Sequence, residues 1–337
     1  MESPVGTISP GELERLSQQA STAGSYSPLT GHPLVLLDLS NKAIAQTAER
    51  CEQLPQVMRQ IACPVIAVAP EGTSSTLTES VDVLVSSHKE ARGLAVNILQ
   101  NPLAAMTLVQ LLRHNEKASL DDGLLAESLA FATLQGSNEF RSYLQERQQP
   151  AKVPDCSDPA VLVEREDNTL SLTLNRPEQR NAYSMAVRDA LYEGLELQAN
   201  DPTLERTIIR GAGACFCTGG ALGEFGLADN IAMAHAIRST RHVGRLIAMQ
   251  AQRTECHLHR ACIGSGIELP AFAGRVVAQK NTYFQLPEIT MGLIPGAGGT
   301  VSILRRIGRQ RLAYMALSAR RINATTALEW GLIDEIA

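Results

Sequence analysis

Aromatic residues make up only 4% of this 337-residue chain, with a single tryptophan. That is too few flat rings for a base-stacking surface. Positive charge is also short: the net charge is −5, so no basic face is offered to nucleic acid. The seven cysteines are odd in number and scattered, and none stands in a Cys-x-x-Cys pair. This pattern excludes a disulfide frame or a zinc site as the first reading and favours reduced thiols in a cytoplasmic protein. No apolar run approaches the length that spans a bilayer. Met1-Glu2-Ser3-Pro4 lacks the basic and apolar stretches of a secretory leader. The expectation is a cytoplasmic protein with neither membrane nor nucleic acid as partner. What is present is ordinary: 44% hydrophobic and 19% charged residues, ample for a core.

The length fits one large domain or two modest ones. Residues 1–30, rich in Ser, Gly, Thr and Pro, read as a flexible segment with a short helical turn near Glu12–Gln19. Apolar runs at Leu34–Leu39, Pro64–Val68 and Val81–Val85 predict buried strands, with helices at Ala43–Cys51 and Leu54–Ile61 between them. Such alternation implies a parallel α/β layer. Helical spacing then predicts His88–Leu99, a helix capped by Asn101 and opened by Pro102, Leu120–Leu134 capped by Ser119, and Asn138–Arg147. The polar, proline-bearing stretch 148–154 is the best domain boundary, dividing 31–150 from 151–337. Beyond it come a hairpin (Val161–Glu164 and Leu170–Leu174), a helix at Ser184–Gln198 and a strand at Thr207–Arg210. A long helix is expected at Ile231–Met249, one strand at Cys256–Ile263 and a helix opening at Glu268–Ala273. Short strands at Val276–Ala278 and Thr282–Gln285 precede helices at Thr300–Ile307 and Arg309–Leu317.

Chemistry concentrates in the second half. Two glycine turns follow strands: Phe216-Cys217-Thr218-Gly219-Gly220 and Ile263-Gly264-Ser265-Gly266. Each alone fits a plain βα turn or helix start. Together, their amides could hold one oxyanion. Glu268 closes the second turn, and Glu288 stands between Leu286-Pro287 and Ile289, where desolvation would raise its pKa. A carboxyl pair beside an oxyanion site suggests proton chemistry next to an activated carbonyl. Gly296-Ala297-Gly298-Gly299 lacks the lysine of a P-loop and reads as a tight lead-in to the helix from Thr300. His257 and His259 alternate on one strand but lack a third ligand, so no metal is expected. Cys215 and Cys217 read as small core or pocket residues. Arg305, Arg306, Arg309 and Arg311 read as a mostly solvated helix face that could meet acidic groups of a neighbour or a cofactor phosphate.

These segments resemble the crotonase superfamily, the enoyl-CoA hydratase/isomerase group. The resemblance covers 161–337: Leu174-Asn175-Arg176-Pro177 with Asn181-Ala182, then Phe216–Gly220, Gly264–Glu268, Leu286-Pro287-Glu288, Gly292–Thr300 and Ala324–Ile336. It implies an α/β fold, a spiral of stacked ββα turns, preceded here by a smaller α/β plus helical region. It implies an acyl-CoA substrate, no metal or redox cofactor, and a homo-oligomer, either a trimer or a dimer of trimers. By that analogy the amides of Gly220 and Ser265 form the oxyanion hole, Glu268 activates water and Glu288 protonates the α-carbon. The backbone around Arg180, Ala182, Gly220, Ala221, Leu222 and Gly223 lines the CoA groove. The implied reaction is hydration of a 2-enoyl-CoA, or its reverse. Double-bond isomerisation, another crotonase reaction and a non-catalytic acyl-CoA-binding scaffold stay open.

Three departures stand out. Ala221 replaces the family's usual Asp, and Arg260 a usual glycine. The chain also stops at Ala337, where relatives continue into helices that cover the acyl pocket. Residues 81–147 resemble those closing helices. The expectation is that 31–150 is a degenerate crotonase-like unit whose helices cover the catalytic one, from the same chain or a neighbour.

Overall fold

A computed structural model describes residues 7–18, 24–147, 157–227 and 230–337; the expected boundary at 148–154 lies outside them. The front half runs α1 (Pro10–Gln18), β1 (Val35–Asp38), α2 (Lys42–Arg50), α3 (Leu54–Gln60), β2 (Val65–Val68), α4 (Thr76–Ser80) and β3 (Val83–Val85). Then come α5 (His88–Gln100), α6 (Pro102–Asn115), α7 (Leu120–Gln135) and α8 (Asn138–Glu146). Its three strands pair in parallel in the order β1-β2-β3, with Val35 opposite Val65 and Ile66 opposite Val83.

Side-chain alternation gives this small sheet two buried faces. Val35, Leu37, Val65 and Ala67 face a core made with α1, α2 and α3. Leu36, Ile66, Val68 and Val83 join the main core, which continues into the second half. Within the expected flexible segment, Leu13 and Leu16 of α1 are buried in the smaller core.

The second half runs β4 (Val161–Glu166), β5 (Thr169–Leu174), α9 (Met185–Asn200), β6 (Arg206–Gly211), α10 (Ile231–Thr240), α11 (Val243–Met249), β7 (Thr254–Leu258) and β8 (Ala261–Ile263). Next are α12 (Ser265–Glu268), β9 (Arg275–Ala278), β10 (Tyr283–Gln285), α13 (Gly299–Ile307), α14 (Arg309–Ser318), β11 (Ile322–Asn323), α15 (Ala324–Trp330) and β12 (Glu335–Ile336). Six strands form one sheet in the order β12-β9-β7-β6-β5-β4, and three form another, β11-β10-β8. Successive turns of chain send one strand to each sheet, β7 then β8 and β9 then β10, which winds the spiral.

That winding corrects several expectations. The single strand at Cys256–Ile263 is two, because Arg260 adopts the left-handed region at φ 56° and turns the chain from one sheet to the other. The helix at Ile231–Met249 breaks, and His242 caps the second piece by accepting from the Arg245 N–H at 3.2 Å. The helix expected to open at Glu268 instead ends there, and Pro270 starts a 3-10 turn. Asn101 stands before α6 without a side-chain cap; the Glu139 carboxylate takes the Leu103 and Ala104 N–H groups at 2.7 and 3.0 Å. The arginine cluster is not a solvated face throughout. Arg309 is 4% exposed and pairs with Asp82 of the front half at 3.1 Å, while Arg306 donates to the carbonyls of Ala271 and Ala273.

The halves are thus interlocked. Asp82, 1% exposed, also pairs with Arg113 and accepts from the Val65 N–H at 2.9 Å. Helix α7 packs on α10 and α13, and α5 and α6 pack on α14.

Candidate active site

The site starts from the two glycine turns. The segment after β6 lies against β8: the Cys217 N–H donates to Ala261 O and the Ile263 N–H to Cys217 O, each at 3.1 Å. Gly219 sits at φ 92°, and a Cβ there would stand 3.1 Å from Ile263 O. Gly264 sits at φ 51° with its Cβ position 3.6 Å from the Gly219 Cα. Only glycine permits both the backbone twist and this approach. Both Gly220 and Ser265 line one cavity, and neither backbone N–H has an acceptor among the described residues.

Two carboxyls face the same place. The point where Gly264 would carry a Cβ lies 2.6 Å from Glu288 Oε1 and 3.8 Å from Glu268 Oε1. Glu268 is 2% exposed, and its Oε2 accepts from the Ala297 and Gly299 N–H groups at 2.8 and 2.9 Å. Glu288 opens a 3-10 turn, and its Oε2 is enclosed without a partner. Burial pushes Glu288 up to about 8. Burial also raises Glu268, helped by the neighbouring charges of Glu288 and Glu127 and opposed by the two N–H donors. Two carboxyls this close resist ionising together and titrate as a pair.

A third carboxyl joins them, and sequence reasoning missed it. Glu127 of α7 accepts from the Gly298 N–H at 2.6 Å, the Thr300 N–H at 2.9 Å and the Thr300 hydroxyl at 2.6 Å. Consecutive amides at the start of α13 therefore alternate between Glu268 and Glu127. The glycine stretch 296–299 leads into α13 as expected, but protein carboxylates occupy its anion-binding N–H groups. Burial pushes Glu127 up to about 7. A signal for it existed: it is the lone charge in the apolar run 123–138.

The cavity has a volume of about 490 Å³. It holds Gly220, Ala221, Ser265, Glu268 and Glu288 together, walled by Phe131 and Phe140 from the front half. Arg180, Ala182, Leu222 and Gly223 lie outside that lining, on the strip beside the first glycine turn. There the Thr218 N–H donates to Arg180 O, and the Ala221 N–H to Tyr183 O. Ala221 precedes a 3-10 turn and offers it no side-chain cap. Arg260 is exposed and absent from the cavity. His257 pairs with Glu255 at 2.5 Å, and His259 with the Gly213 carbonyl at 3.1 Å. Cys215 and Cys217 are buried, and burial pushes the Cys217 thiol up to about 11, which leaves it no nucleophile.

Two backbone N–H groups without acceptors among the described residues, faced by paired carboxyls in one largely apolar cavity, make this the candidate active site. Residues 164–337 match the family model described as enoyl-CoA hydratase/isomerase. The chain is 35% identical over 178 residues to the 2,3-dehydroadipyl-CoA hydratase of Escherichia coli (strain K12), covering 52% of this chain and 68% of that protein. It is 33% identical over 171 residues to the mevalonyl-coenzyme A hydratase sidH of Aspergillus fumigatus, covering 50% and 62%. A solved enoyl-CoA hydratase from Mycobacterium smegmatis matches with a TM-score of 0.50 at 26% identity, over 53% of this chain and 70% of that one. The chain belongs to the enoyl-CoA hydratase/isomerase family, a crotonase-fold enzyme family. The match takes in about half of this chain and roughly two thirds of these relatives.

Proposed function

We propose that this enzyme adds water to 2-enoyl-CoA thioesters, giving 3-hydroxyacyl-CoA, or runs the reverse dehydration. The observation that carries this reading is the pair of carboxyls aimed at one point beside two N–H groups without acceptors among the described residues. The pair shares one proton. For water addition Glu268, with two N–H donors on Oε2, acts as the anion against the push of burial and its acidic neighbours, and Glu288 carries the proton.

Glu268 takes a proton from water as the water oxygen bonds to the β-carbon. The π electrons move toward the thioester, and the enolate oxygen is held by the Gly220 and Ser265 N–H groups. Glu288 then gives its proton to the α-carbon. One water is added, and the carboxyls have exchanged protonation states, which proton transfer resets. An oxyanion donor of this kind is worth on the order of 10²–10³ in rate.

CoA enters as part of the substrate, and no metal or redox group is required by these steps. In this reading the strip from Arg180 and Ala182 along Gly220–Gly223 carries the CoA. A homo-oligomer, trimer or dimer of trimers, in the cytoplasm belongs to the same proposal and is open to light scattering and fractionation.

The test is turnover of a panel of 2-enoyl-CoAs with mass analysis of products. Glu268→Gln and Glu288→Gln are each expected to cut turnover by about 10² or more. They should leave CoA-ester binding within a few-fold. Near-normal rates in both variants would end the assignment, and a product of unchanged mass would move it to isomerisation.

A further inference from the structure

Two arginines line the catalytic cavity, and their situations differ. Arg188 pairs with Asp189 at 2.9 Å. Arg238, on α10, has no carboxylate within ion-pairing distance among the described residues. Its guanidinium reaches only neutral acceptors: Ser128 Oγ at 3.2 Å, Gln135 Oε1 at 3.4 Å and Ser128 O at 3.4 Å. These long bonds leave two of its five N–H donors without a protein acceptor among the described residues. Its flat face lies over the Phe131 ring, 4.9 Å from the centroid. The nearby wall is apolar, with Phe131, Met233, Ala234 and Ile237.

Arg238 also borders a neighbouring recess of about 260 Å³ lined by Leu124, Leu125, Ser239, His242 and the ion pair Asp121–Arg245. It therefore stands at the border of the cavity, apart from the glycine turns. Burial disfavours its charged form, and the nearby charge of Glu127, whose oxygens are taken by the amides of α13, only partly offsets this. A cation held in an apolar wall with neutral partners is costly, and an arriving anion offsets that cost. Guanidinium is also the group best matched in shape to a carboxylate.

We propose that Arg238 receives a carboxylate on the far end of the acyl chain, so that the preferred substrates are unsaturated acyl-CoAs ending in a carboxylate. The inference rests on the acyl-CoA reading above. It adds the substrate class and the residue that selects it.

The experiment uses the full chain and pairs of 2-enoyl-CoAs of matched length, one ending in methyl and one in carboxylate. The wild type is expected to favour the carboxylate ester in kcat/KM by about tenfold or more, the worth of one charge-assisted hydrogen bond. Arg238→Met should bring that ratio to within about threefold of one, mainly through KM. Arg238→Lys should retain part of it. The ratio serves as its own control for folding.

A ratio unmoved by Arg238→Met, or an equal loss on both esters, would overturn the proposal, since a clamp between α7 and α10 or a CoA-phosphate contact would act on both alike. Calorimetry on the wild type with matched saturated esters needs no variant. Tighter binding of the carboxylate ester supports the proposal even if no ester is hydrated, and equal binding overturns it even if both are.

Discussion

The front half and the second half are both built from mainly parallel strands covered by helices, yet they are used differently. In the front half the strands end in ordinary loops and their side chains fill two cores. In the second half two strands lead into glycine turns that meet backbone to backbone, leaving room for a ligand and two N–H groups free among the described residues. The front half adds no glycine turn to the site, but it supplies a wall, Phe131 and Phe140, and a third carboxyl, Glu127. The difference teaches that catalytic geometry here comes from backbone approach, while enclosure comes from helices that a separate stretch of chain provides in the same molecule.

The largest effect should come from separating the halves. Residues 157–337 expressed alone would expose the face covered by α5–α7 and strip Arg309 of Asp82 and Glu116. The expected outcome is an insoluble or unfolded fragment. A soluble, active fragment would show that the interlock is dispensable.

Next is Glu127→Ala. It removes the acceptor for two backbone N–H groups and a hydroxyl at the start of α13. The expected loss is about 3 kcal/mol in urea unfolding, with reduced turnover, because buried donors left unpaired cost far more than a surface contact. An unchanged midpoint would show that the front half merely lies against the site.

A smaller effect separates titration from packing. Glu288 folds with its pKa raised to about 8 from an ordinary 4.5. The fold therefore favours the protonated form, and this contribution is full below about 4.5 and is lost as pH rises through about 8. Glu288→Gln cannot titrate. Its Tm relative to wild type should climb by a few degrees between pH 5 and 9. A pH-independent difference would mean the site does not raise this carboxyl.

The smallest expected effect is at Arg260. A non-glycine residue at φ 56° carries a strain of about 1 kcal/mol, and the side chain is exposed. Arg260→Gly should add roughly that much stability, less the chain entropy glycine brings. A loss would show that the exposed guanidinium holds a contact of its own.

Much of the site was legible in the sequence because its signals are local. A glycine turn after a strand and a glutamate at a fixed offset report backbone geometry that neighbours in the chain impose. Strands and most helices followed from periodicity for the same reason. The exceptions share a cause. The break between β7 and β8 depends on two separate sheets competing for one stretch, which an apolar run does not reveal. Arg309 looks like any helix-face cation until Asp82 arrives from the other half. Asn101 loses its capping role to Glu139, which folding brings from elsewhere in the front half.

The sequence by itself determined the family, the spiral of strands and helices, and the identity of the glutamate pair, since each is written in short-range spacing. Tertiary structure alone decided that Glu268 and Glu127 divide the amides of one helix start, that Arg238 stands in the cavity wall with no carboxylate within ion-pairing distance among the described residues, and that α7 closes the site. Those outcomes depend on burial and on partners distant in the chain, and a residue's charge state and purpose follow from what surrounds it.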